Sequence, residues 1–408
     1  MNRTILVSAY ACEPYKGSEQ AVGWNIVLQL AKNNDVHVIT RANNKIPIEQ
    51  YLKSCTNLNL TFHYYDTPKF FLSLKNKEKG VYLYYILWQI GIIRLAKAII
   101  KKFDIKYSYH LTFGSVWLPS FLFMLPAKFI WGPVGGGEYI PNSFIGTLSV
   151  KGRFLQYLRK LLRWTVYINP ILILSAVKAK VILCRTPDTI KVFPHCIRHK
   201  CFIMTDGAIE NDIFQFQCKQ VVKKEINLVA TSRLIHTKNV TTLIKAVSLI
   251  PRKYHVKFTI IGSGPEEKHI KQLIQKLNLS DRIEQISFIP RMDVFKHLEK
   301  SDVYLFGSLK EACNLSLLEA MAIGLPVICL NWSGMAISTD DSCAIRLPVT
   351  NPEQMPKDMA AAIIKLIENP KLRKQMGEAG RKRIKEVFNW EEKGRFMENL
   401  LKELDAKK

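Results

Sequence analysis

The stretch Glu311 to Pro326, read E-A-C-N-L-S-L-L-E-A-M-A-I-G-L-P, constrains this chain most. Val303 to Phe306 leads into it as an apolar, strand-like run. Leu315 to Ile323 has helical composition. Gly324 and then Pro326 stop that helix, and Val327 to Leu330 reads as the next strand. Glu311 therefore falls on a strand-to-helix loop, and Glu319 falls inside the helix, with seven residues between the two glutamates. Unbonded backbone N–H groups at such a helix start favour an anion, for example a nucleotide diphosphate. A glutamate pair alone is weak, because most such pairs are solvated helix faces.

The N-terminus repeats this alternation. Thr4 to Ala11 reads as a buried strand, C-E-P-Y-K-G-S-E-Q-A-V-G-W-N as a loop, and the helix after it runs to about Ala31. Val36 to Thr40 is a second strand. This opening begins a Rossmann-like sheet, and its loop is no G-x-G-x-x-G fingerprint. A chain of 408 residues has room for two or three domains, each with its own core. No apolar run reaches the roughly 18–20 residues that span a bilayer; the longest, Val81 to Ile93, ends at Arg94. The short apolar N-terminus reads as a strand rather than a signal peptide. Nine scattered cysteines suit a reducing cytoplasm better than a disulfide framework. The net charge of +25 is uneven: residues 1–200 hold 27 Lys+Arg against 9 Asp+Glu, a net of +18. A polyanionic partner follows from that bias: nucleic acid, an anionic membrane or a phosphorylated substrate.

The Glu311 stretch resembles the E-x7-E signature of retaining glycosyltransferases of family 4. The resemblance implies that Glu311 contacts donor-sugar hydroxyls and that Glu319 holds the nucleotide ribose. Asn314 stands where that family usually has glycine; asparagine tolerates a left-handed backbone and is a good helix N-cap. With Leu315 it is expected at the donor-binding helix start. Upstream, Ile226 to Ala230 is a strand followed by T-S-R-L-I-H-T-K-N. This segment is similar to the family's G-R-L-x-x-x-K-G, with Ser232 and Asn239 in place of both glycines. Arg233 and Lys238 would neutralise a diphosphate and the charge that grows on it as the glycosidic bond breaks. Phe258 to Ile261 is another strand, with a G-S-G-P turn after it. Ile283 to Pro290 is read as the strand whose end, Phe288 to Arg291, meets the base.

In the first half the resemblance rests on loops. G-S-E-x-x-V-G-W resembles one branch of the family, making Gly17 and Glu19 acceptor-side residues; a plain βα turn is the alternative. Tyr107 to Thr112 is a strand end, and His110 falls where the family has a histidine facing the donor sugar, although a lone histidine on a strand is more often structural. F-I-W-G-P-V-G-G-G-E runs from a strand into Gly135, Gly136, Gly137 and Glu138, and three consecutive glycines suggest a close backbone approach. Residues 81–103 form a helix packed on the sheet. Lys151 to Trp164 reads as a basic amphipathic helix, with Phe154, Leu155, Leu158, Leu161 and Leu162 on its apolar face. It suits an anionic bilayer surface; docking on the sheet is the competing reading. No nucleic-acid motif accompanies it. His195, Cys196, His199 and Cys201 lack a second pair at zinc spacing.

The resemblance implies the α/β GT-B architecture, two Rossmann-like domains facing a central cleft. Residues 1–204 would form the acceptor-side domain and 205–385 the nucleotide-sugar domain, with 386–408 a final helix bracing the first domain. No D-x-D occurs in the sequence, so the resemblance implies metal-independent transfer with no cofactor. A nucleotide-diphosphate sugar is the expected donor, and a glycan or polyprenyl-diphosphate-linked glycan the expected acceptor. An anionic membrane surface is the expected partner and nucleic acid is not. The enzyme would be cytoplasmic and peripheral at the inner face of the plasma membrane, serving cell-envelope or extracellular polysaccharide synthesis. The alternatives are a non-catalytic GT-B lipid- or glycan-binding module, a GT-B sugar-nucleotide epimerase and a phosphorylase.

Overall fold

A computed structural model describes residues 3–55, 58–68, 70, 80–218 and 224–406. The chain forms two compact units. The first contains Met1–Gly137, Leu161–Asp206 and Trp390–Lys408; the second contains Glu138–Lys160 and Gly207–Asn389. The chain thus enters the second unit briefly, returns, and ends with its last helix back in the first.

The first unit holds seven parallel strands: β1 (Arg3–Ser8), β2 (Asn34–Thr40), β3 (Leu60–Tyr64), β4 (Tyr107–His110), β5 (Lys128–Val134), β6 (Val181–Cys184) and β7 (Cys201–Ile203), in the order β3-β2-β1-β4-β5-β6-β7. Both faces are covered, as a parallel sheet requires. On β1, Leu6 packs into one cluster while Ile5 and Val7 pack into the other, following the two-residue period of a strand. Helix Val81–Phe103 covers the Leu6 face through Tyr84, Tyr85, Trp88, Ile92 and Ala96. Helices Ser18–Ala31 and Trp390–Ala406 cover the other, where Met397, Leu400 and Leu401 join Val22, Trp24 and Val27. The expectation that no segment is long and apolar enough to cross a membrane is corrected here. Helix Val81–Phe103, 23 residues long, passes that test of length and composition. Any 18-residue stretch of it includes Arg94 and Lys97, yet its aliphatic and aromatic residues outweigh them, and its buried face is what the sheet takes up.

The second unit holds six parallel strands: β8 (Glu225–Thr231), β9 (His255–Ile261), β10 (Ile283–Ile286), β11 (Val303–Phe306), β12 (Val327–Leu330) and β13 (Ala344–Leu347), in the order β10-β9-β8-β11-β12-β13. Strand order reverses between β8 and β11, the place where open α/β sheets leave a crevice beyond their carboxyl ends. Every residue of β11 and β12 is buried, which explains their unbroken apolar runs. The two units are Rossmann-like, and the fold is GT-B.

Candidate functional site

The carboxyl ends of β8 and β11 are tied by one polar network. Tyr304 Oη lies 2.9 Å from Thr231 Oγ1 and donates to Thr231 O or Ser316 Oγ, at 3.2 and 3.1 Å. Ser316 Oγ lies 3.1 Å from Thr231 O and 2.7 Å from Asn314 Oδ1. Two strands and the start of helix Leu315–Ile323 are therefore held at one point. Asn314 is the N-cap of that helix: its Oδ1 accepts the Leu317 N–H at 3.1 Å. Its backbone is extended, with φ −122°, so the cap is what it supplies there. The left-handed residue is Asn239, with φ 53°, at one of the two places where glycine was expected. Its side chain offsets the strain, donating to Gly307 O at 3.3 Å and accepting from Thr242 Oγ1 at 2.8 Å.

These loops carry the charges. Lys238 Nζ pairs with Glu311 Oε1, their side chains 17% and 11% exposed. Ser308 Oγ donates to the same carboxylate oxygen at 2.6 Å. The loops are also joined through backbone, since Leu309 N–H donates to Thr237 O at 2.8 Å. The Glu311 carbonyl is gripped from behind by Gly334 N–H and Ser333 Oγ, both at 2.9 Å. A Cβ at Gly334 would stand 2.3 Å from Ala312 O, so only glycine fits. Arg233 is exposed and makes no ion pair among the described residues. It follows β8 on the loop that leads to Lys238.

Glu319 faces the preceding helix, Arg291–Lys300. Arg291 Nε and Nη2 both lie 3.0 Å from its Oε1, and the Arg291 guanidinium also sits over the Phe295 ring at 4.9 Å. Burial raises the Glu319 carboxyl above the ordinary glutamate range, opposed by Arg291. Phe288 is exposed on the loop before Arg291. β10 ends at Ile286, four residues earlier than expected; residues 287–289 are irregular and Pro290 occupies the N-cap position of helix Arg291–Lys300. Arg233, Lys238, Glu311, Asn314, Leu315, Glu319, Phe288 and Arg291 thus all lie beyond strand ends or on the helices those loops begin.

In the first unit the loops close on themselves. Gly17 caps helix Ser18–Ala31, and a Cβ there would meet nothing within 4 Å. Glu19 Oε1 accepts the Phe113 N–H at 2.6 Å and lies 3.6 Å from Arg185 Nη2. Arg185 Nε binds Asp206 Oδ2 at 2.9 Å. Burial raises the Glu19 carboxyl and Arg185 lowers it. The close approach at the glycine run is to the chain itself. A Cβ on Gly137 would stand 2.3 Å from Thr189 Cα, and one on Gly135 would stand 3.0 Å from Arg185 Cδ. Glu138 is buried. His110 is fully enclosed, with Nε2 3.0 Å from Tyr85 Oη, and burial pushes it down to about 3, so the ring is neutral. Residues His195–Lys200 form a short 3-10 turn. Among the described residues no group of three or more His, Cys, Asp or Glu side chains could hold a metal ion.

Sequence reasoning missed Ser308, Tyr304, Ser316, Ser333 and Gly334. Tyr304, Ser333 and Gly334 act across strand boundaries, and Ser308 and Ser316 also act locally, within the loop and helix start, through hydroxyls that no motif marked. Only Gly334, set between Trp332 and Met335 after a strand, carried even a composition signal.

Residues 212–383 match the family model described as "Glycosyl transferases group 1". Among curated proteins, 195 residues (46% of this chain, 41% of the relative) are 26% identical to a phosphatidylinositol N-acetylglucosaminyltransferase subunit of Arabidopsis thaliana. Another 139 residues (32% of this chain, 34% of the relative) are 27% identical to "Amylovoran biosynthesis glycosyltransferase AmsK" of Erwinia amylovora. The matches therefore span about two fifths or less of those relatives' length. Anabaena HepE, solved in complex with UDP, is similar in fold across 98% of this chain and 100% of its own, with a TM-score of 0.61 at 13% identity.

Proposed function

From a chain that is GT-B in fold and related to the group 1 glycosyl transferases, we propose a retaining, metal-independent glycosyltransferase. It moves a hexose-type sugar from a nucleotide-diphosphate sugar to a glycan or lipid-linked glycan. The observation that carries this reading is the Lys238–Glu311 pair at the strand-order reversal of the second sheet, with Arg233, exposed and without an ion-pair partner among the described residues, on the same loop as Lys238. Arg233, Lys238 and the Leu315 helix start take the diphosphate. Glu311 takes sugar hydroxyls and Glu319 takes the ribose. The C1–O bond to the phosphate breaks, the acceptor oxygen bonds C1 on the same face, and its proton passes to the departing phosphate oxygen. Arg233 and Lys238 stabilise the charge that develops there. Glu19 and the loops at Gly17 and Gly135 to Gly137 are assigned to the acceptor side. His110, enclosed and neutral, is left as a packing residue of β4 rather than a donor contact.

The acceptor is assigned to a membrane surface. Helix Val150–Leu162 buries none of its residues; Phe154 and Leu161 are 66% and 67% exposed. Trp164, Tyr167 and Ile168 continue the exposed apolar series. From residue 139 to residue 187 the sequence contains no Asp or Glu. That combination fits an anionic leaflet, where lipid-linked glycans are presented. The relative named for amylovoran biosynthesis supports a place in extracellular polysaccharide assembly. Release of UDP or GDP from a panel of nucleotide sugars tests the reading. Wild type should turn over at least one donor, and a protein that binds donors without turning over any would be a non-catalytic module.

A further inference from the structure

The segment Tyr139–Leu148 follows β5 of the first sheet in the chain, yet packs into the core of the second unit. Ile140, Phe144, Ile145 and Leu148 all belong to that core, Phe144 being 1% exposed. One end meets the loop that carries Lys238, and the other meets the turn after β12 whose next residues hold the Glu311 carbonyl. At one end the Tyr139 carbonyl accepts the Trp332 indole N–H at 3.1 Å, and the two rings meet edge-on at 5.0 Å. Trp332 is followed directly by Ser333 and Gly334, the residues that hold the Glu311 carbonyl. At the other end Thr147 Oγ1 lies 3.0 Å from His236 Nε2. His236 opens the turn His236–Lys238, between Arg233 and Lys238. The Thr147 hydroxyl proton goes to Phe144 O at 2.7 Å. With that proton on Phe144 O, the Thr147 oxygen is free to accept from the His236 Nε2–H tautomer.

We infer that Tyr139–Leu148 is a strap that positions the Lys238–Glu311 pair, with Thr147, His236 and Trp332 as its positioning residues. None of them needs to touch substrate. An apolar anchor fixes the strap in the core; the Thr147 bond passes that fixity straight to the Lys238 loop, and the Trp332 bond passes it to the Glu311 loop through Ser333 and Gly334. The loops are already joined at Leu309–Thr237 and Lys238–Glu311. The strap fixes the joined pair against the rest of the unit, which those internal bonds cannot do. This inference rests on the glycosyl-transfer reading only for its catalytic consequence.

The test uses Thr147→Val, Thr147→Ser and Trp332→Phe in the full chain. All three alter exposed or half-buried groups, so the fold survives. Amide hydrogen exchange gives a readout without ligand. Thr147→Val should speed exchange at Lys238 and Leu309, and Trp332→Phe at Gly334, with β9 unchanged in both. Thr147→Ser keeps the oxygen and should match wild type. In donor hydrolysis with UDP-glucose, UDP-N-acetylglucosamine or GDP-mannose, kcat should fall about tenfold for Val and Phe, with KM little changed and Ser restoring the rate. That drop lies below the roughly 10²-fold that a 1 Å misplacement can cost. Unchanged exchange in the Val and Phe variants, or exchange raised equally in β9, overturns the strap. A wild type that hydrolyses no donor overturns the transfer reading instead and leaves the exchange result to decide the strap.

Discussion

At Lys238 and Arg233 the chemistry is a matter of charge in a fixed place. Lys238 is held by Glu311, and Arg233 is uncommitted among the described residues. Arg233→Ala or Lys238→Ala should each cut donor turnover by about 10²-fold or more, the scale of losing one preorganised charge-stabilising group. Thermal unfolding should barely move for Arg233→Ala, whose side chain is exposed. Near-normal turnover in both variants would remove the diphosphate assignment. The two glutamates should separate kinetically. Glu311→Gln is expected to lower kcat, because the proposed function has it facing the sugar where charge develops. Glu319→Gln is expected to raise the donor KM more than it lowers kcat, since a ribose contact is alike in ground and transition states. Glu319 adds a second signature. Burial raises its carboxyl, so the folded protein holds that proton more tightly than the unfolded chain does. Ionised Glu319 therefore costs stability above its folded pKa, and the cost fades as pH falls through that value. Glu319→Gln should raise the melting temperature at neutral pH while weakening UDP binding by calorimetry. A variant that lost stability at neutral pH would mean that Arg291 more than offsets the burial.

At the scale of the element, helix Val150–Leu162 carries Lys151, Arg153, Arg159 and Lys160 and leaves its apolar residues in solvent. Each Lys or Arg near an anionic leaflet contributes about 1 kcal/mol, so a few engaged charges give reversible attachment. The protein should float with liposomes containing phosphatidylglycerol and not with neutral ones. Attachment should fall with salt, as screening requires, and should be lost when Arg159, Lys160 and Arg163 become Glu. Equal flotation on neutral lipid would assign the attachment to apolar contact alone. Helix Val81–Phe103 shows the contrast. It is apolar enough to cross a bilayer, yet Trp88, Ile92 and Ala96 lie fully inside the core. Composition alone does not separate a sheet-covering helix from a surface one; the buried face does.

At the scale of the whole molecule, helix Trp390–Ala406 completes the first unit although it follows the second in the chain. Arg3 pairs with Glu398 at 2.8 Å and with Asp405 at 2.5 Å, Tyr107 Oη donates to Asp405 at 2.5 Å, and Lys128 Nζ donates to Leu404 O at 2.8 Å. Met397, Leu400 and Leu401 are buried there, each contributing about 1.5–3 kcal/mol when fully buried. Deleting residues 390–408 should therefore destabilise β1 and β4 by several kcal/mol in native-state hydrogen exchange. Protection in β8 and β11 should stay near that of the full chain. Loss of protection in both sheets alike would mean that the helix supports more than its own unit.

The sequence by itself determined the strands β8, β11 and β12, the helix between Asn314 and Gly324, and the placement of Arg233, Lys238, Glu311 and Glu319 after strand ends. These are local facts: apolar runs, a cap, a stop and charged residues at short spacing. It also marked residues 151–164 as basic and amphipathic. Tertiary structure alone decided which charges meet. Lys238 and Glu311 are 73 residues apart in sequence and pair because β8 and β11 are neighbours across the reversal in strand order. Arg291 and Glu319 meet because consecutive helices share one side of a parallel sheet. The enclosure of His110, the self-filled glycine run and the packing of Tyr139–Leu148 into the second core had no local mark at all. Burial is a property of what the rest of the chain brings to a residue, and no spacing along the chain encodes it.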